Sequence, residues 1–130
     1  MNILKSVDIE DEIRLALDGY ITAYVRPLPE NFIVPCVLVE LMGGTTQNTI
    51  DSFLVRLSAR AETDAGALTL LQVALGILEQ RSKEQMGELR FSQEQNLISW
   101  GVDPVRPDLK LCQATVTVLA HKQIVDLDES

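Results

Sequence analysis

Chemistry needs side chains that can be brought together, and this chain offers few. His121 is its one histidine. It stands near the end of an alternating run, and no serine or cysteine nucleophile is spaced to pair with it, so it reads as a solvated surface residue. The acidic cluster Asp8, Glu10, Asp11 and Glu12 lacks the spaced oxygen ligands and the glycine of a calcium loop. Complementation of a helix dipole explains it better. Gly43-Gly44-Thr45-Thr46 shares a glycine pair with phosphate-binding loops but not their lysine or full glycine spacing. Arg56 and Arg60 project from one face of a strand, near Glu40 and Asp51 in the chain. Arginines in a row can grip phosphate, yet the ordinary reading is an ion-paired face, solvated or interfacial. Cys36 and Cys112 lie inside strand-like runs and read as small buried hydrophobes rather than a disulfide. Trp100 reads as a core-edge residue, with an interface role as the alternative. The expectation is no catalytic residue, no cofactor and no metal.

The elements that position these residues follow from periodicity. Asp8 is a good N-cap, and Ile9, Ile13, Ala16, Leu17 and Tyr20 recur at helical spacing until Gly19 marks the frayed end. Residues 21–25 can be extended before Pro27 and Pro29 forbid regular pairing. Residues 35–41 are strand-like, and Gly43, Gly44, Thr45, Thr46, Gln47 and Asn48 read as a flexible hairpin connection to the next strand. In that strand Phe53, Val55, Leu57, Ala59 and Ala61 alternate with Arg56, Ser58, Arg60 and Glu62. Thr63 then caps a helix reaching about Arg81.

At 100° per residue, Thr69, Gln72, Gly76, Glu79 and Gln80 form one polar stripe on this helix, leaving an apolar arc of roughly 220°. One sheet covers less than that. The flanks, Val73 and Ile77 on one side and Leu68 and Leu75 on the other, are candidates for burial against another helix or a neighbouring subunit. Further on, residues 88–92 and 96–100 are candidate short strands. Residues 109–120 form a long strand with Cys112, Ala114, Val116, Val118 and Ala120 as its core face, and residues 121–130 a tail that is free or docks elsewhere. The fold class is α+β: a mostly antiparallel sheet with two main helices packed on it, in the order α-β-β-α-β-β.

The 130 residues suit one domain. Hydrophobic residues make up 46% of the chain, and no apolar run approaches the length that spans a bilayer. The opening residues lack the pattern of a signal peptide, so synthesis and folding in the cytoplasm are expected. Nineteen acidic against eleven basic residues give a net charge of −8, which opposes non-specific binding to DNA or to membrane surfaces.

Several stretches together resemble the tail terminator, or tail completion, proteins of long-tailed bacteriophages. These are the first helix ending before Tyr24-Val25-Arg26-Pro27-Leu28-Pro29, then Pro35-Cys36-Val37-Leu38-Val39-Glu40-Leu41-Met42-Gly43-Gly44, then the strand closing on Ser58-Ala59-Arg60-Ala61-Glu62. The alanine- and leucine-rich helix after Thr63 and the Thr115-Val116-Thr117-Val118 strand complete the pattern, which covers nearly the whole chain. The segment before Pro35 is longer and more apolar than that family leads one to expect, and residues 92–108 align loosely.

The resemblance implies a structural virion protein at the head-tail junction. It would form a ring, usually of six, that caps the tail tube, ends its polymerisation and offers the surface for head joining. Its partners would be itself, the tail tube protein and a head-completion or neck protein, with DNA only passing through the lumen and no membrane involved. Two alternatives stand beside this: another neck or tail-tube protein of the same virion, which would self-stack, or a small non-viral α+β enzyme or regulatory domain, which would show a deep polar pocket.

Overall fold

The computed structural model describes the backbone of residues 1–83, 89–92 and 98–128 and the side chains of 1–81 and 98–128. The elements run β1 (Asn2–Lys5), α1 (Ile9–Leu17), β2 (Ala23–Val25), β3 (Cys36–Gln47), β4 (Ile50–Ala61), α2 (Asp64–Lys83), β5 (Leu89–Ser92), β6 (Ser99–Val102), β7 (Lys110–His121) and β8 (Gln123–Asp126). The architecture is α+β with two helices, and the expected order lacked β1, β2, β8 and one of the strands β5 to β7.

Three 12-residue strands, β3, β4 and β7, form an antiparallel centre. β2 adds to β3 in parallel, while β5 and β6 share the far edge of β7. Both helices cover one face of this sheet. The alternation explains it: Val39, Leu57 and Ala114 lie side by side across the centre, as do Leu41, Val55 and Val116. Under them sit Ile9, Ile13 and Leu17 of α1 and Ala67, Leu71, Ala74 and Leu78 of α2. Burying one Leu, Ile or Val side chain contributes about 1.5–3 kcal/mol, so Leu57, Leu71 and Val116, all fully enclosed, are main supports of the fold.

The helix starts are capped as their sequences require. Asp8 accepts from the Asp11 N–H at 3.3 Å, and the Thr63 hydroxyl accepts from the Gly66 N–H at 3.0 Å. α1 stops at Leu17, with Gly19 at φ 84 just beyond it. The second core face expected for β7 is the one that is buried, and Cys112 lies within it.

The sheet's other face is covered at the end where β4 meets α2. There Phe32, Cys36 and Leu109 form a second small core, with Tyr24, Leu28 and Val34 packed on it. The side of β4 expected to be an ion-paired face, solvated or interfacial, is corrected in one respect: Ser58 and Arg60 on it are buried within the chain rather than solvated.

A second correction concerns residues 43–48. They are not a loose connection: β3 continues through Gln47, β4 begins at Ile50, and only the turn at Asn48 (φ 36) and Thr49 separates them. A register shift between Leu41 and Gly43 marks a bulge. Gly44 is required just beyond it. Its φ is +157, and a Cβ there would lie 2.2 Å from the Ser52 carbonyl oxygen.

The tail is partly ordered. β8 pairs with β1 as a separate two-stranded ribbon, Asn2 opposite Asp126 and Leu4 opposite Ile124. Of the candidate short strands, 88–92 appears as Leu89–Ser92. The 96–100 candidate appears two to three residues later as Ser99–Val102, and residues 84–88 and 93–97 lie outside the described ones.

Candidate interaction surfaces

The residues that could do chemistry are spent on structure. Arg60 Nε donates to Asp103 Oδ2 at 2.7 Å, both side chains being buried. Asp103 Oδ1 accepts from the Val105 and Arg106 N–H groups at 2.8 and 3.0 Å, so one carboxylate closes the 103–106 turn and neutralises the arginine. Burial pushes the Asp103 carboxyl up, but the hydrogen bonds from Arg60, Arg106 and Val105 outweigh it and leave the group below its ordinary value. Arg106 in turn lies 5.2 Å from the Phe32 ring centre. Burial raises the Cys36 thiol to about 11 although Arg60 beside it pulls the other way, and it raises Cys112 as well. Both cysteines are free and buried.

Arg56 pairs with Glu40 at 3.0 Å in a half-buried setting. His121 ends β7 with an exposed side chain. Trp100 is not a core-edge residue, being 52% exposed on β6. The acidic residues of α1 divide their work: Asp8 caps, Asp11 pairs with Arg14, and Glu10 reaches across to Arg26 at 2.6 Å. Among the described residues no group of three or more His, Cys, Asp or Glu could hold a metal ion. Among them, too, no helix is long and apolar enough to cross a membrane.

The candidate interface flank of α2 splits. Leu75 is buried within the monomer and has nothing left to offer a partner, because α2 rests on β4, β7 and α1 together rather than on the sheet alone. Leu68 and Ile77 are half-buried at the margin of the same core. Val73 is 47% exposed. It borders an open cleft of about 730 Å³ with Leu70, Tyr20, Ile21, Val34 and Pro35 on its walls. That surface is mainly apolar, with Glu62 and Thr63 at its rim.

The second surface is the far half of the β3–β4 hairpin. Gly43, Gly44, Thr45, Thr46, Gln47 and Asn48 are all exposed and uncharged. Just before them, the outer edge of β3 is closed by side chains rather than by a strand. The Leu41 N–H donates to Glu10 Oε2 at 2.8 Å, and Arg26, itself bonded to that carboxylate, reaches the Leu41 carbonyl at 3.4 Å. The Glu10–Arg26 pair thus fills the place of the strand residue that β2, ending at Val25, does not supply.

Asp51 stands where ribbon and hairpin meet. It is 3% exposed, on the core side of β4. Ser6 follows β1, Lys122 precedes β8, and both flank this carboxylate. The Thr46 hydroxyl, with smaller contributions from Ser6 and from Lys122 at 3.8 Å, holds Asp51 below the usual carboxylate range against the upward push of burial. Its Oδ2 makes no hydrogen bond among the described residues. The Lys122 N–H also donates to the Thr49 carbonyl at 2.8 Å, tying the root of β8 to the hairpin turn.

Sequence reasoning missed Glu10–Arg26, Asp51 and Asp103. Only Asp51 carried a local signal, since the alternation through Phe53 and Val55 places it on the core side of its strand. No protein-family model matches the sequence, and none of the curated proteins does.

Proposed function

We propose that this chain is a structural virion protein of a long-tailed phage that closes into a ring, caps the tail tube, ends its polymerisation and forms the head-joining surface. The resemblance described above runs along nearly the whole sequence and is the origin of this reading. The observation that carries it furthest is the outer strand of the hairpin, where residues 43–48 are exposed and uncharged along the edge of the sheet. An open strand edge of that kind suits docking on the last ring of a tube by backbone and loop contacts. Growth would stop because the opposite face of the cap does not repeat the tube protein's own docking surface. The charge of −8 supports the same reading, since an acidic ring repels DNA from its wall and lets it pass. Six copies are the number the resemblance implies.

Deleting the gene and imaging the particles tests this. Overgrown headless tubes beside filled tailless heads are expected. Tubes of uniform length already joined to heads would rule the proposal out, and spontaneous stacking of the purified protein into tubes would favour a tube subunit instead.

A further inference from the structure

The two uncovered β elements of this chain fit one another across copies. The acceptor is the outer edge of β3 beyond Leu41. Val37 donates outward to Thr22, and Leu41 outward to Glu10, so residues 37, 39 and 41 turn their backbone groups away from β4. β4 carries no bulge opposite, so its register places Gly43 and Thr45 against inward-facing partners and turns Gly44 and Thr46 outward. Among the described residues nothing pairs with them. Residues 43–47 carry no charge or proline, although such devices are the usual protection of an exposed strand. Beside it, on the helix side, opens a cleft of about 250 Å³ with Leu41, Gly43, Gly44 and Phe53 on its walls together with the polar Ser6 and Asp51.

The donor is the β1–β8 ribbon. Two strands alone are marginal in water, and this pair exposes apolar side chains on both faces. Leu4 and Ile124 share one face and Ile3 and Val125 the other. Ile124 is 74% exposed. Each ribbon strand has four residues, close to the length of the open edge.

The geometry points to strand addition between copies: β8 of one molecule lies along residues 43–47 of the next, with Ile124 seated in the cleft by Leu41 and Phe53. The Glu10–Arg26 plug limits the addition, since an incoming strand cannot pass Leu41 without displacing it. Donor and acceptor are different surfaces. They belong to different strands, although the root of the ribbon reaches the hairpin at Asp51, where Ser6 and Lys122 flank that carboxylate. The contact passes head-to-tail from copy to copy and closes as a ring; a dimer as the largest species would mean a reciprocal exchange of ribbons and overturn it. This inference rests on the self-assembly part of the function proposed above and names the surfaces that would perform it.

Full-length Thr45→Cys and Gln123→Cys proteins, mixed and treated with a short thiol cross-linker, test it, because the native cysteines are buried. A product joining one of each is expected in the mixture, and neither variant alone should give it. Ile124→Asp should weaken association by about tenfold or more, as loss of a central apolar anchor does, with no change in unfolding midpoint. Thr46→Pro removes an outward N–H together with the hydroxyl that holds Asp51. It is compared with Thr46→Val, which removes the hydroxyl alone: the Pro variant should lose assembly relative to the Val variant. If light scattering shows assembly but the mixed product is missing, or if Thr46→Pro assembles as well as Thr46→Val, this interface is wrong and the ring reading survives. A protein that stays monomeric at every concentration overturns both.

Discussion

Arg60 and Asp103 form an ion pair at 2.7 Å, under the small second core, and the two residues contribute unequally to it. Asp103 also holds two backbone N–H groups of its own turn, whereas Arg60 Nη1 has no partner among the described residues. Removing the carboxylate strands a buried cation and opens the turn. Removing the arginine leaves a carboxylate that is still doubly hydrogen-bonded.

Asp103→Ala should therefore cost about 3–5 kcal/mol, the range for breaking a buried pair from one side, and Arg60→Met distinctly less. Urea unfolding of the two variants checks this. Equal losses would mean that the turn hydrogen bonds contribute nothing.

Two carboxylates, Asp51 and Asp103, have folded-state values below their ordinary ones. The stability they contribute is present above the unfolded carboxylate value of about 3.9 and is lost as pH falls through the lower folded values. Stability should decline below about pH 4, and Asp51→Asn should remove part of that dependence. In hydrogen exchange, the same substitution should speed the amides of β1 and β8 and leave β4 and β7 protected, because Asp51 sits at the root of the ribbon.

The thiols titrate in the opposite sense. With Cys36 raised to about 11 and both cysteines enclosed, neither should react with a disulfide reagent at pH 8 in the native protein. Both should react once denaturant is added. Rapid native labelling would show that the loop over Cys36 opens readily.

Glycine substitutions separate the hairpin from the helix. Gly44→Ala meets the Ser52 carbonyl and a backbone conformation foreign to alanine, at a cost of about 1–3 kcal/mol. Gly76→Ala meets nothing within 4 Å and lies on the exposed stripe of α2. It should stabilise by about 0.5–1 kcal/mol. Thermal melts of the two variants should move in opposite directions.

A charge on α2 gives a parallel contrast. Leu75→Asp should unfold the monomer, since the side chain is enclosed. Val73→Asp should leave the melting temperature nearly unchanged, and a loss of assembly in that variant would assign the Tyr20–Val73 cleft to an interface.

What the sequence displayed plainly was periodicity. The alternation of Val55, Leu57 and Ala59 and of Cys112, Ala114 and Val116 identified the two central strands and their buried faces, and Asp8 and Thr63 identified both helix starts. Gly43-Gly44 misled because a glycine pair followed by threonines has the composition of a turn. Here the glycines serve a bulge and a close approach of two backbones instead. The ribbon was hidden for another reason: β1 and β8 are too short to show a period, and each makes sense only beside the other. Arg60 and Asp103 were likewise unreadable as a pair, since nothing local to either names its partner.

The pairing of Asn2 with Asp126 also sets an order in time. Hairpin strands β3 and β4 are neighbours in the chain and can join as soon as they leave the ribosome. The ribbon must wait until β8 has been made, because contacts between distant segments form late. Under the strand addition proposed above, a nascent chain would carry the open edge of β3 long before it owned a strand that could fill a neighbour's, so it would accept but not donate. Chains still being made would cap a growing assembly rather than extend it, and only finished molecules could propagate one.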